Sequence, residues 1–279
     1  MSMPDLARVG AFLEEVAHED MLPFWRRIAQ AEVTPKATAL DPGDVVTTVD
    51  LAVERRISQG LRALLPGSAA VGEEAAHADP RLLDALGGGG WCWLIDPLDG
   101  TRNFVEGNDR FGIMVALLRA SEPRAAWIHL PARRQTFFAE EGAGAFLNGA
   151  RFLADAADGA EAPAGTIYTR FMPGEVGAEI EARAAGAYRP AQGAGCSCVD
   201  YPSVARGETD FCVYYRLLPW DHAPGALIVR EANGVVEHLD GTRYSAMSRS
   251  QVTIVARSRD VADRMRRALS ARPGQSQRQ

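Results

Sequence analysis

At positions 91–95 an apolar run, Trp-Cys-Trp-Leu-Ile, leads straight into Asp96-Pro-Leu-Asp99-Gly100-Thr101. A short apolar run bounded by turn-formers reads as a buried strand. It delivers two carboxylates, three residues apart, onto a turn closed by Gly100. Thr101 adds a hydroxyl, and the N–H groups of Gly100 and Thr101 stand free at the start of the next element, where an anion is favoured. One segment thus combines metal-ligand carboxylates, a phosphate cradle and a hydroxyl able to orient water. Any fold for this chain has to bury the strand and leave its acidic end open to a cleft.

Around that strand the pattern alternates. Leu6, Val9, Leu13 and Val16 fall at helical spacing. Pro23 ends or kinks that helix, and 34–43, with two prolines, reads as a loop. Val49, Val53, Ile57 and Leu61 form a second helical stripe, capped by Thr47 or Thr48 and stopped near Pro66-Gly67. A short strand at 69–71 ends at Gly72-Glu73-Glu74. The glycine run at 87–90 precedes a strand, so it reads as a turn and not as a phosphate loop. Strands follow at 111–118, 124–130 and 135–139, with Asn148-Gly149 as a hairpin turn. Residues 154–165, rich in Ala, Asp, Gly and Pro, read as a linker, and the last twelve as a disordered tail. These pieces predict a layered α+β fold with two subdomains and a cleft between them. The boundaries are 1–153, carrying most metal ligands, 154–267, carrying the substrate side, and a tail at 268–279.

Composition removes several function classes. With 279 residues the chain is long enough for a sizeable core. A net charge of −6 argues against a nucleic-acid polymer as partner, because backbone binding needs a positive footprint. No apolar run is long enough to span a bilayer and no signal peptide is visible, which points to the cytoplasm. Cys92, Cys196, Cys198 and Cys212 are too few and irregular for a disulfide framework, and the C-x-C pair lacks a second pair to complete a zinc site. They read as reduced, buried thiols. Lys36 is the only lysine among basic residues that are otherwise arginine; it carries no functional weight at this level.

Four segments place acids where strands end or helices begin: Asp44 to Asp50, Glu73-Glu74, Asp96 to Asp99, and Trp220-Asp221-His-Ala-Pro-Gly225. Singly, each has a plain structural explanation as a helix cap, a turn or a solvated loop. Converging, they need cations, since two like charges at 4 Å and an effective dielectric near 20 repel by about 4 kcal/mol.

In order and separation the segments resemble the inositol monophosphatase family. Trp93-Leu-Ile-Asp96-Pro-Leu-Asp99-Gly-Thr101-Arg-Asn-Phe104 is similar to its first signature. Trp220-Asp221-His-Ala-Pro-Gly225, with Val229-Arg-Glu-Ala-Asn-Gly234, is similar to its second. The resemblance implies the αβαβα sugar-phosphatase-like fold and magnesium-dependent hydrolysis of a phosphate monoester by a metal-activated water. Two to three Mg²⁺ ions are implied, held by Glu73, Asp96, the Leu98 carbonyl, Asp99 and Asp221; an all-oxygen set suits that hard ion. Glu73 and Thr101 would orient and deprotonate the water, with Asp50 accepting from the Thr101 hydroxyl. Gly100 and Thr101 N–H groups would hold phosphate oxygens. A helix opening after Asp221 would add its dipole, with Pro224 in the first turn. The resemblance also implies a homodimer.

The leaving-group side departs from inositol-selective relatives. They carry a Glu seven residues before the second-motif Asp, where this chain has Tyr214, and Gln192 stands where relatives often have Arg. Arg102, Arg170 and Arg216 read either as solvated or structurally paired surface or as a clamp on a second anionic group of the substrate, a task that suits Arg better than Lys. The substrate is therefore a small phosphorylated metabolite: a polyol phosphate, a sugar bisphosphate or an adenosine bisphosphate. His222 is assigned no role. The alternative is a non-catalytic, metal-responsive binding or regulatory relative.

Overall fold

The computed structural model describes residues 3–27, 33–36, 45–154 and 161–271. Asp44, most of the 34–43 loop, the middle of the 154–165 segment and residues 272–279 lie outside them.

The apolar run becomes β4 (Trp91–Asp99) in a seven-stranded sheet. Its order is β3 (Ala69–Gly72), β4, β5 (Gly112–Arg119), β6 (Glu122–Leu130), β7 (Gln135–Glu140), β8 (Gly144–Leu147) and β9 (Ala150–Phe152). Only β3 runs parallel to its neighbour; the other pairs are antiparallel. Asn148 and Gly149, with φ of 49° and 82°, make the β8–β9 turn, as a two-residue hairpin with both residues left-handed requires.

Alternation along the strands sends residues to two different covers. Trp93, Ile95, Ile113, Val115 and Trp127 pack under α1 (Leu6–Val16) and α2 (Thr48–Leu64), against Val9, Leu13, Val53, Ile57 and Leu61. Leu94, Met114, Ala116 and Ile128 meet Tyr201, Val204, Leu227 and Ile228 on the other face. Those come from α6 (Ser197–Ala205) and α7 (Pro219–Glu231).

The same helices cover a second sheet, ordered β11 (Arg189–Pro190), β10 (Ala164–Ile167), β12 (Phe211–Tyr214), β14 (Thr253–Ala256), β13 (Val235–His238). Its outer face packs on α5 (Gly174–Ala184) and α8 (Arg259–Ser270), through Phe211, Val213 and Ile254 against Ile180, Val261 and Met265. The layers are thus helix, sheet, helix, sheet, helix, and the α6–α7 layer belongs to the cores of both halves.

Several local expectations differ. Thr34 and Pro35 lie in β1 (Val33–Pro35), paired with β2 (Val45–Thr47), so the 34–43 segment is not loop throughout. β10 begins inside the expected linker, and α8 runs to Ser270, into the expected tail. The helix carrying Asp221 opens at Pro219, not after Asp221, so Pro219 is the first-turn proline and Pro224 lies in the interior. There Pro224 removes one backbone donor, and the tight fit of neighbouring Gly225 fixes the helix: a Cβ on Gly225 would stand 2.2 Å from Tyr201.

Candidate active site

A cleft of about 260 Å³ opens where the ends of β3 and β4 meet the starts of α6 and α7. Glu73, Asp96, Leu98, Asp99, Gly100, Thr101, Arg102, Tyr214, Arg216 and Asp221 all line it. Its size suits a small metabolite.

The carboxyl end of β4 is shaped by a shift of register. Asp96 pairs with Met114 and Asp99 with Gly112, and the intervening bulge accommodates Pro97, which has no N–H to offer a ladder. Asp96, 1% exposed, accepts the Leu98 N–H at 3.1 Å. Gly100 has φ of 83°, and a Cβ there would stand 2.6 Å from the Arg110 carbonyl, so only glycine closes this turn. Thr101 then starts the five-residue α4 (Thr101–Val105).

Glu73 is brought in by α3 (Glu73–Ala78). That helix is anchored from α2 by Glu54, whose carboxylate accepts the Glu74 and Ala75 N–H groups at 2.7 and 2.9 Å. Gly72 lets the chain pass over Glu54, since a Cβ there would stand 2.2 Å from its carboxyl carbon. Asp221 arrives in the first turn of α7. One carboxylate oxygen each from Glu73, Asp96 and Asp221 lie within 4.8 Å of one another. Burial, then Glu73, Asp99 and Asp221, push the Asp96 carboxyl well above its ordinary range. An all-oxygen cluster around so buried an acid fits a hard divalent cation.

Asp99 is turned differently. Its Oδ2 accepts the Cys198 N–H at 2.5 Å, and its carboxylate shares a second potential ligand group with the Cys196 and Cys198 thiols. Burial raises its pKa to about 6 despite that bond. The five acids named in the sequence therefore divide between two neighbouring clusters and the cap of α2.

Asp50 is in that cap. Its Oδ2 accepts from the Thr47 N–H at 2.8 Å and the Thr47 hydroxyl at 2.5 Å, and Thr47 in turn caps α2. Its Oδ1 accepts from Thr101 Oγ1 at 3.2 Å, and that hydroxyl also lies 2.9 Å from the Leu98 carbonyl. One hydroxyl proton serves two acceptors there. Burial, only partly offset by Thr47, raises the Asp50 pKa to about 7.

Sequence reasoning missed Lys36. Its ammonium lies 2.6 Å from Glu73 and 2.8 Å from Glu74, and it is 8% exposed. Burial alone would lower its pKa, but the two carboxylates hold it above the ordinary lysine value. Its one weak signal was being the sole lysine. Sequence reasoning also missed Asp200, which accepts from the Ala194 N–H and the Tyr168 and Tyr214 hydroxyls. It thereby holds a stack of Tyr168, Tyr214 and Tyr201 along the wall.

On the rim, Arg216 and Arg170 lie 4.0 and 5.1 Å from the Phe171 ring centre. Gln192 is exposed and does not line the cleft. His222 is buried, with its Nε2 on the Arg216 carbonyl and its Nδ1 accepting from Tyr201; burial lowers its pKa to about 4. It is a neutral packing residue.

A profile of the inositol monophosphatase family matches residues 7–272. The chain belongs to that family. Members are phosphoric monoester hydrolases, and the family likeness makes this chain a divalent-metal-dependent phosphatase in general terms. It is 32% identical over 240 residues to a Thermotoga maritima fructose-1,6-bisphosphatase/inositol-1-monophosphatase, covering 85% of this chain and 86% of that one. It is 33% identical to the Nus factor SuhB of Pseudomonas aeruginosa over 72% of this chain and 75% of the relative. In three dimensions it is similar to a Thermotoga maritima IMPase, with a TM-score of 0.78, 28% identity, and coverage of 95% and 96%. No described helix is long and apolar enough to cross a membrane.

Proposed function

We propose that this family member hydrolyses a phosphate monoester on a small polyol, sugar or nucleotide, using two to three Mg²⁺ ions. The observation that carries the reading is the convergence of Glu73, Asp96 and Asp221 around a buried acid. Those three, with Asp99 and the Leu98 carbonyl, would hold the cations. When bound, magnesium lowers the pKa of water and offsets charge on the phosphoryl oxygens.

The chain's own residues do the rest. Thr101 Oγ1 positions the attacking water and passes a proton toward Asp50 Oδ1, 3.2 Å away. A carboxyl held near pKa 7 is matched to accept it. Glu73 is the second candidate base, and burial raises it against the pull of Lys36. The N–H groups of Gly100 and Thr101, both on the cleft lining, would hold phosphate oxygens. Arg102, Arg170 and Arg216 supply cationic reach on the leaving-group side, where Tyr214, its hydroxyl turned to Asp200, stands in place of a carboxylate. That wall favours a substrate with a second anionic group. The cytoplasmic location, the homodimer and the absence of a nucleic-acid partner rest on composition and family likeness and belong to the same proposal.

Phosphate release from an aryl phosphate, then from inositol phosphate, fructose bisphosphate and adenosine bisphosphate, each with and without Mg²⁺, tests the reading. No magnesium-dependent release from any of them leaves the regulatory alternative, to which the likeness to a Nus factor gives a precedent.

A further inference from the structure

A C-x-C pair alone lacks donors for a metal, but folding brings it one from another element. Cys196 immediately precedes α6 and Cys198 is its second residue. Both sulfurs and one Asp99 carboxylate oxygen lie within 4.8 Å of one another. Tetrahedral coordination, with metal–sulfur bonds of ~2.3 Å and metal–oxygen bonds of ~2.0–2.2 Å, places donors ~3.5–3.8 Å apart, so closure needs about 1 Å of movement. Backbone contacts hold both thiols beside the acidic turn. Cys198 Sγ lies 3.7 Å from the Asp99 carbonyl, Cys196 Sγ lies 3.3 Å from the Arg110 carbonyl, and a Cβ on Gly100 would stand 3.3 Å from Cys196 Cβ. Asp99 and Cys196 line the cleft, which gives a cation its path.

We propose that Asp99, Cys196 and Cys198 form a site for a thiophilic divalent cation of the zinc and cadmium class, whose binding withdraws Asp99 from the magnesium set. Ligand softness separates the two sites: Glu73, Asp96 and Asp221 offer only oxygen, whereas thiolates select against magnesium. On binding, each S–H bond breaks, the proton goes to solvent and the sulfur pair is donated to the cation, with no change of oxidation state. The inhibitory consequence rests on the phosphatase reading; the site does not.

The test is a cadmium titration of the reduced full-length chain in excess magnesium. The expected result is a cadmium–thiolate charge-transfer absorbance that saturates at one cation per chain. Cys196→Ser and Cys198→Ser should each lose most of it, while Cys92→Ser and Cys212→Ser, whose thiols are buried elsewhere, should keep it. Far-ultraviolet circular dichroism checks the fold of each variant, and Cys196→Ser, on the cleft wall, decides the matter if Cys198→Ser does not fold. An absent band, or one retained in Cys196→Ser, overturns the site. In parallel, cadmium should suppress aryl phosphate hydrolysis at least tenfold, a chelator followed by magnesium should restore it, and Cys196→Ser should resist. Full absorbance with unchanged turnover overturns the link to Asp99. A chain with no magnesium-dependent turnover ends the phosphatase reading, and the absorbance still decides the site.

Discussion

Lys36 Nζ stands 2.6 Å from Glu73 Oε1, so the only lysine in the chain sets a cation against a carboxylate of the acidic cleft. The ammonium offsets repulsion between Glu73, Glu74 and Asp96, the task that a divalent ion performs when the site is loaded. The two cations therefore compete for Glu73. Lys36→Gln should destabilise the metal-free chain by ~1–3 kcal/mol, below the usual cost of breaking a fully buried pair because Glu73 is partly exposed. It should also increase the stabilisation gained from magnesium. Thermal melting in chelator and in magnesium checks this; equal losses in both conditions would sink the competition.

The metal-free chain should lose stability as pH rises. Burial lifts the Asp99 and Asp50 carboxyls to about 6 and about 7 in the folded chain, against an ordinary value of 3.8, and burial with its acidic neighbours also raises Asp96 well above that value. At these carboxyls the folded state binds more protons than the unfolded one, so their contribution to stability falls as pH rises between about 4 and 7, opposed in part by His129 and His222, whose buried rings stay neutral down to about 4. Melting temperature in chelator should fall across that window, and saturating magnesium should flatten the curve. A melting temperature that rises with pH in chelator would contradict the raised values.

Asp96→Asn removes the acid at the centre of the cluster. Turnover should drop by at least ~10³-fold and magnesium dependence should weaken, while the metal-free protein melts higher because an acid whose ionisation is disfavoured by burial and by its neighbours is gone. Near-normal kcat in this variant would remove the proposed chemistry.

Thr101→Ala should lower kcat by roughly 10²–10⁴-fold, the range for a lost proton-transfer group, with little change in magnesium affinity. Thr101→Ser, which keeps the hydroxyl 3.2 Å from Asp50, should recover much of the rate. Parallel losses of rate and metal affinity in Thr101→Ala would assign Thr101 to structure alone.

The arginines on the rim predict a substrate difference. Arg216→Gln should raise KM for a bisphosphate by ~10-fold, a loss of ~1.4 kcal/mol, and leave KM for an aryl monophosphate nearly unchanged. Equal effects on both substrates would place Arg216 with the reacting phosphate, near Glu73, instead of at the leaving group.

What could be read in one dimension was what local chemistry decides. β4 and its acidic turn follow from an apolar run, a proline that cannot donate and a glycine at φ of 83°, all within eleven residues. The α2 stripe and its Thr47 cap follow from a 3.6-residue period and one hydroxyl. The helix carrying Asp221 was legible in kind but not in start, because Pro219 and Pro224 are each permitted in a first turn and only packing on Tyr201 fixes the frame.

Tertiary structure alone decided which distant groups share one cleft. Lys36 reaches Glu73 across 37 positions, and Asp99 meets the C-x-C pair across 99. Neither pairing leaves a periodic trace, because such contacts depend on how layers stack and not on neighbouring residues. For the same reason Gln192, placed by motif spacing beside the substrate, lies exposed outside the cleft, while Asp200 is carried into its wall by α6. Spacing along a chain determines which face of an element a side chain occupies; the packing of elements determines what that face meets.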